Sequence, residues 1–488
     1  MESISNTLKI RRQLSFFWSV IPMIVMLGGI SIGYFIFNIR AEPMILIGTA
    51  AASFIAIAHG YTWDDILKSI CNKISEALPV ILIVASIGFL IGAWMVSGTI
   101  PMMIYYGLKF INSQYFYISA FLLGALISVC TGTPWGSIGT VGIAMIGVAI
   151  GLNVPLAIAA GAIVSGCWFG DKLSPVSDST NMAALAASVN LYSHIGHLLW
   201  TTGPGFIICC IVYVYMGLGI DASVSTPENI TSLMTSISQV YHFNLLLLLP
   251  PVIVLYGSLT KKPAIPMLFL STIVSMILAL AFQAFSASSI GESVVNGFKL
   301  SMLAGDNPGA FSADVARLLE RGGAISMFSS FVTVFSAFSF AGAMSATGSL
   351  QTVISAMTKG VKSTFRLVAI TIVSAVSICA CTANGTLPLL LCGDAFKEEY
   401  KRRGLATKNL SRTTEDAGTV VEPIIPWSAS GVYCATMLGV ATLDYLPWAI
   451  LCYTGVLFAL LWAATGIGIA KYDPNNDPEH LVESELRN

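Results

Sequence analysis

The sequence predicts an all-α polytopic membrane protein, and three observations carry that prediction. Of 488 residues, 55% are hydrophobic and 10% charged, whereas a soluble domain carries roughly a quarter charged residues. Mean hydropathy is +0.80, and the apolar residues fall into runs suited to helices that need about 20 residues to cross a bilayer. The chain also repeats itself in a pattern of interrupted apolar segments.

Taken in order, Lys9, Arg11 and Arg12 precede an apolar run over 16–37. That run is too long for a signal peptide and lacks a small-residue cleavage site, so it reads as a first transmembrane helix with its N-terminus in the cytoplasm. Further candidate spans are 43–59, 79–100, 115–130, 137–151, 154–169, 195–219, 243–257, 264–285, 323–346, 366–381, 385–395, 425–440 and 446–470. Several are too short for a full crossing and read as half-helices or re-entrant segments packed in protein. Residues 63–77 mix charges and apolar residues at helical spacing, which predicts a separate interfacial helix.

Orientation follows from the basic loops. Segment 397–412 holds Lys397, Lys401, Arg402, Arg403, Lys408 and Arg412 and is expected to be a cytoplasmic loop, with Lys261, Lys262 and Lys471 on the same side. Loop 220–242 has Asp221 and Glu228 but no Lys or Arg and is expected outside. The multi-pass chain is placed in the plasma (inner) membrane. It divides into N-terminal helices with the interfacial helix (1–78), a first transmembrane repeat (79–220), connecting loops and helices (221–321), a second repeat (322–470) and a cytoplasmic tail (471–488).

The duplication rests on three matches in one order. Gly92–Ile100 reads like Gly342–Leu350; Cys130-Thr131-Gly132-Thr133-Pro134 like Cys381-Thr382-Ala383-Asn384-Gly385-Thr386; and the polar stretch from Gly170 to Pro175 like that from Glu415 to Val420. Paired interrupted segments in two halves point to a transporter binding site near the midplane. The span count leaves open whether the repeats are inverted or parallel.

The richest segment is 165–181, SGCWFGDKLSPVSDSTN, which sets Asp171, Lys172, Ser174, Ser177, Asp178, Ser179, Thr180 and Asn181 around Pro175. Ionisable groups at membrane depth cost a few kcal/mol or more unless they pair or meet water or an ion. Carboxylates, hydroxyls and the carbonyls freed by a proline are the oxygen ligands a hard cation such as Na+ requires. Asp171 and Asp178 are therefore the candidate Na+ carboxylates, at which H+ and Na+ compete. The plainer alternative is an extramembrane turn capping two helices, with Asp178 or Ser179 as N-cap. In the second half, Glu415, Asp416, Thr419 and Glu422 stand against Pro423 and Pro426, although Glu415 reads equally as the end of the basic loop. The Gly/Thr/Pro breaks offer Thr131, Gly132 and Thr133 in one half and Thr382, Asn384 and Thr386 in the other, able to unwind a helix and present its N-terminus to an anion. His194 and His197 could sense pH but read as interfacial residues; His59 reads as a span boundary and 290–321 as a solvated connection.

Several classes lack support. Lys plus Arg (24) balances Asp plus Glu (25), so no nucleic-acid partner is indicated. The ten cysteines show no CxxC pair or Cys/His ligand spacing. No P-loop appears, nor the metalloprotease HExxH or hydrolase GxSxG motif. No enzyme and no cofactor are expected. A channel fits less well than a carrier, since duplicated, proline-broken sites suit a closed, alternating site.

GDKLSPVSDSTN, with TGTPWGS upstream and SRTTEDAGTVVEPIIPWS downstream, resembles the NhaC family of Na+/H+ antiporters from about residue 15 to 470. The resemblance implies two inverted repeats, each with a re-entrant hairpin and a broken helix, and a homodimer. It carries Asp171, Ser174, Asp178, Thr180 and Asn181 on the first motif, and Asp416, Thr419 and Pro423 on the second. It implies alternating-access antiport with Na+ and H+ as cargo. The rival within the same resemblance is a Na+- or H+-coupled carrier of a small organic acid (malate/lactate type) or amino acid, with Lys172 holding the organic carboxylate. Lys172 lies in the shared motif and does not separate the two.

Overall fold

In lipid, an apolar run can satisfy its peptide groups alone only as a helix, and the chain folds accordingly. The structure, a computed structural model, describes residues 14–37, 39–220, 227–302, 319–320, 322–357 and 363–472. The expectations for Lys9, Arg11, Arg12, Asp221, most of the 290–321 connection and most of the tail lie outside these residues. Among the described residues there are helices and one isolated antiparallel bridge, Leu405 to Lys471. Ten helices among the described residues are long and apolar enough to cross a membrane, or twelve if each of two bent pairs is one span.

Helices α1 (Phe16–Phe37) and α2 (Ala41–Ala58) precede α3 (Trp63–Ser97). Here the expected separate interfacial helix is corrected: 63–77 is continuous with the next span in one 35-residue helix that passes through Pro79. Its start is fixed by a capping box, Thr62 Oγ1 accepting the Asp65 N–H at 3.2 Å while the Asp65 carboxylate accepts the Thr62 N–H at 3.1 Å. Ile66 and Ile70 are buried along one stripe, and Ser69 donates to the Gly342 carbonyl at 2.8 Å. The periodicity that suggested an interfacial helix therefore faces protein. The boundary expected at residue 79 falls inside α3.

From α3 onward the chain runs through α4 (Thr99–Phe110), α5 (Phe116–Thr131), α6 (Pro134–Gly151), α7 (Leu156–Leu173), α8 (Asp178–Ala186) and α9 (Leu191–Leu218). The connection contains α10 (Pro227–Val240), α11 (Leu249–Leu259), α12 (Ala264–Phe282) and α13 (Ala287–Asn296). A second series follows: α14 (Phe328–Ala346), α15 (Ser349–Met357), α16 (Thr364–Thr382), α17 (Leu387–Arg402), α18 (Lys408–Ala417), α19 (Ala429–Leu438) and α20 (Leu451–Thr465).

The two series match in detail. The α3–α4 and α14–α15 breaks both turn on a left-handed glycine, Gly98 (φ 87°) and Gly348 (φ 65°). Hydroxyls bridge both breaks, Ser97 to Thr99 at 2.9 Å and Thr347 to Ser349 at 2.6 Å. Helices α5 and α16 both end in a threonine followed by a left-handed residue, Gly132 and Ala383. Short helices α8 and α19 are both N-capped by serine, Ser177 and Ser428.

Among the described residues, two large apolar clusters fill the interior, beside a small one of Met102, Leu247 and Leu278. One gathers Trp94, Phe116, Phe121, Trp168, Tyr213 and Tyr445; the other joins Met26 and Ile45 to Phe340, Leu367, Phe396 and Leu410. Phe54, Ile211 and Leu457 are exposed, as side chains facing lipid would be. The basic stretch 397–412 is also corrected. Most of it is helical, in α17 and α18, with Asn409 and Arg412 fully buried. Its lysines and arginines at 401–403 end α17, where they complement the helix dipole.

Candidate functional site

The site begins with how α7 is set. Gly166 and Gly170, one turn apart, face α5 so closely that an added Cβ would sit 2.1 Å from the Phe121 carbonyl and 2.2 Å from that of Ala125. Small residues at this spacing let two membrane helices approach backbone to backbone. Ser174, just past α7, then donates to the Val129 carbonyl of α5 at 2.8 Å. These contacts fix the last turn of α7, which carries Asp171 and Lys172.

Lys172 is completely buried. Its ammonium lies 2.9 Å from Glu415 Oε1, Ser179 Oγ and Thr419 Oγ1 and 3.0 Å from Asp171 Oδ2. Asp171 also accepts from Ser177 Oγ at 2.7 Å and Ser179 Oγ at 3.0 Å. Ser177 thus caps α8, accepting the Thr180 N–H, and orients the carboxylate. Thr180 donates to Glu415 Oε1 at 3.1 Å. Glu415 Oε2 meets His194 Nε2 at 2.5 Å, and His194 Nδ1 meets Ser411 Oγ at 2.8 Å. Asn190 N-caps α9 and sets His194 in its first turn, where it is fully buried. A buried charge persists when paired and fully hydrogen-bonded. Here one continuous chain, Asp171–Lys172–Glu415–His194, joins the two halves.

Other contacts lock the same seam. Trp168 Nε1 donates to the Thr419 carbonyl at 2.8 Å, Trp135 Nε1 to Ser430 Oγ at 3.3 Å, and the Trp135 ring stacks on Tyr433 with centroids 4.3 Å apart. A cavity of about 180 Å³ opens beside the cluster, lined by Asp171, Asp178, Ser179, Thr386, Thr419 and Glu422 among others. A second, of about 300 Å³, shares the Gly132–Thr133–Trp135 and Asp178 wall and reaches Lys261 and Lys262.

The sequence-predicted residues divide between these surroundings. Asp171, Lys172, Thr180 and Thr419 meet in the cluster, and Ser174 anchors it. Asn181 braces the proline turn, donating to the Pro175 and Ser177 carbonyls. The turn does cap helices, as the plainer alternative holds, but the cap is Ser177, and the turn is packed against Glu415. Asp178 is not in the cluster: its side chain is 95% exposed, 3.7 Å from Lys261. Thr131, Gly132 and Thr133 form the first break, with Thr131 bonded to Thr133 and Ser137. Thr382 and Asn384 form the second, where Asn384 Oδ1 accepts the Thr386 and Leu387 N–H groups. Glu422 lines the smaller cavity and accepts the Ser430 N–H at 3.3 Å. Asp416 is fully buried against Gly455, and neither of its oxygens has a hydrogen-bond partner.

Sequence reasoning missed Ser411 and set His194 aside, and it left Glu415 divided between the polar stretch and the basic loop, whereas the structure puts all three in the centre. One signal was available: Glu415 and Thr419 stand four residues apart and share a helical face. The reading of His194 as interfacial is corrected by its complete burial.

A family model described as the Na+/H+ antiporter family matches residues 166–467, the segment containing the whole cluster. The chain belongs to this family. An uncharacterized Na+/H+ antiporter of Haemophilus influenzae is 50% identical over 451 residues, covering 92% of this chain and 96% of the relative. The Na+/H+ antiporter NhaC of Alkalihalophilus pseudofirmus is 34% identical over 442 residues, 89% and 93% of the two chains. The malate-2H+/Na+-lactate antiporter of Bacillus subtilis is 32% identical over 420 residues, 85% and 87%. Within this antiporter family, then, both inorganic-ion and organic-acid exchangers resemble the chain along most of its length.

Proposed function

We propose that the protein is a secondary Na+/H+ antiporter working by alternating access, in the plasma (inner) membrane with its N-terminus in the cytoplasm. The observation that carries this reading is the buried Asp171–Lys172–Glu415–His194 chain beside an oxygen-lined cavity. Asp171 is the carboxylate that meets both the cavity and Lys172. Na+ would be held there by Asp171 and Ser179, with Asp178 at the cavity's outer wall. Lys172 already neutralises part of the negative charge, so an arriving cation must displace positive charge from the network. That competition couples cation binding to proton release. The duplicated, interlocked breaks supply two halves able to rock about a fixed site, and we take the repeats to be inverted.

The larger cavity favours a second reading. A space of about 300 Å³ that includes Lys261, Lys262 and the Trp135–Tyr433 stack exceeds what a bare Na+ fills, and suits a small organic carboxylate or amino acid carried with Na+ or H+.

Purified protein in proteoliposomes separates the two. Internal pH is followed by dye as Na+, Li+ or K+ is added outside, with and without malate, lactate or amino acids. A Na+-dependent pH change without organic solute is the expected result. Silence until an organic solute is present transfers the case to the second reading, and silence throughout removes both.

A further inference from the structure

The hydrogen-bond pattern around His194 shows what that side chain does in the exchange. Both ring nitrogens face oxygens: Nε2 lies 2.5 Å from Glu415 Oε2, and Nδ1 lies 2.8 Å from Ser411 Oγ. Glu415 Oε1 already accepts from Lys172 and Thr180, the surroundings of an ionised carboxylate. The Ser411 hydroxyl has two partners within reach, His194 Nδ1 at 2.8 Å and the Lys408 carbonyl at 3.1 Å. It can donate to a neutral ring, or turn to the Lys408 carbonyl and accept from a charged one. A neutral imidazole has one donor and one acceptor nitrogen, whereas an imidazolium has two donors. With Glu415 as a fixed acceptor and Ser411 able to act either way, the site accommodates the ring with one proton or with two, as a group that gains and loses a proton requires.

The charge of the cluster supports this. With Asp171 and Glu415 ionised and Lys172 charged, the network holds one uncompensated negative charge in a buried place, and an imidazolium cancels it. Na+ arriving at Asp171 makes the sum positive unless a proton leaves. The other charged or titratable groups around His194 are few. His197, on α9 itself, is bonded to Asn409; Lys408, Arg412 and Asp416 lie on α18; α20 contributes no Asp, Glu, Lys, Arg or His, and Asp178 of α8 is exposed.

We propose that His194 is the seat of the proton exchanged for Na+. When Na+ binds at Asp171, the His194 N–H bond breaks, its electron pair stays on the ring nitrogen, and the proton leaves to bulk water. Glu415 stays ionised and keeps Lys172 in place. When the proton returns, the imidazolium restores neutrality and Na+ is expelled. This inference rests on the antiport reading and deepens it.

The test is proton release on Na+ binding to the full-length purified protein in weakly buffered detergent, read by a pH dye alongside Na+ affinity. The unaltered protein is expected to release a proton for each Na+ bound. H194Q, whose amide can bond both Glu415 and Ser411 without titrating, is expected to bind Na+ with proton release lost and with affinity independent of pH. S411A keeps the imidazole but removes the hydroxyl that meets its Nδ1, so the pH midpoint of Na+ affinity should move. H197Q should behave as the unaltered protein. Undiminished proton release in H194Q, or loss in H197Q instead, overturns the proposal. If H194Q does not fold, an unmoved midpoint in S411A overturns it alone. Failure of the antiport reading looks different: the unaltered protein then binds Na+ without proton release and is silent in proteoliposomes.

Discussion

The two halves of the site share breaks and serine caps but divide the charged contacts unequally. In the first half, Asp171 and Lys172 are adjacent, and Ser177 and Ser179 return from the next turn to hold the carboxylate. This half nearly satisfies itself. In the second half, Glu415 has no cation on its own helix within ion-pair distance and reaches across the seam to Lys172 and His194. Its neighbour Asp416 is sealed against Gly455 with both oxygens unpartnered. The matched breaks and caps, Gly132 with Ala383 and Ser177 with Ser428, stand at one spacing that sets Asp171 opposite Glu422, the acid that lines the same cavity. Glu415, which reaches Lys172, has no such counterpart in the first half, so the charged chain across the seam is an addition to the shared pattern.

That asymmetry can be broken most severely at Lys172. K172M should abolish exchange and, by leaving two carboxylates buried without their cation, destabilise the fold by about 3–5 kcal/mol. Thermal unfolding in detergent checks this, and the double variant K172M/E415Q should recover part of the loss. No recovery would mean that the seam does not depend on the cross-half pair.

Next in size is the contrast between the two aspartates of the first motif. D171N should lose exchange while remaining folded and inserted, as read by expression and gel filtration. D178N should change transport only a few-fold, because an exposed pair contributes little. An equal loss in both would restore the paired-carboxylate Na+ site expected from sequence.

The seal around Asp416 gives a third comparison. An alanine Cβ at Gly455 would lie 2.7 Å from Asp416 Oδ1, and overpacking of this kind costs about 1–3 kcal/mol. G455A should lower the melting temperature and move α18. An unchanged melting temperature would show room beside Asp416.

The smallest effects compare the two breaks. At Gly132, a Cβ would meet Val176 Cγ2 at 2.6 Å and the Val176 carbonyl carbon at 2.8 Å, in a left-handed conformation. G132A should therefore destabilise. Ala383 holds the matching position at φ 55°, a conformation costing an L-residue roughly 1 kcal/mol. A383G should gain about 0.5–1 kcal/mol. Opposite signs in the two halves sharpen the comparison, and equal signs remove it.

Much of this was legible beforehand, and the residues show why. The spans were readable because lipid demands apolar runs of fixed length. The repeat was readable because Gly98 and Gly348 mark breaks that need left-handed backbone. The Asp171–Lys172 motif was conspicuous because charge between apolar runs is costly. Glu415 and His194 were not, since one adjoins a basic stretch and the other opens a helix, both ordinary places for exposed polar residues. The 63–77 helix misled for a related reason, as its charged face reads alike whether the opposite face meets lipid headgroups or α14.

The helical class, the matching breaks and the Asp171–Lys172 half of the charged centre could be read from the sequence, because all of them are local properties of composition and spacing. Only the tertiary structure decided that Glu415 turns inward to Lys172, that His194 closes the chain, and that Asp178 stays outside. Pairing across more than 200 residues depends on which helix faces lie together, and helix faces meet only once the chain has folded.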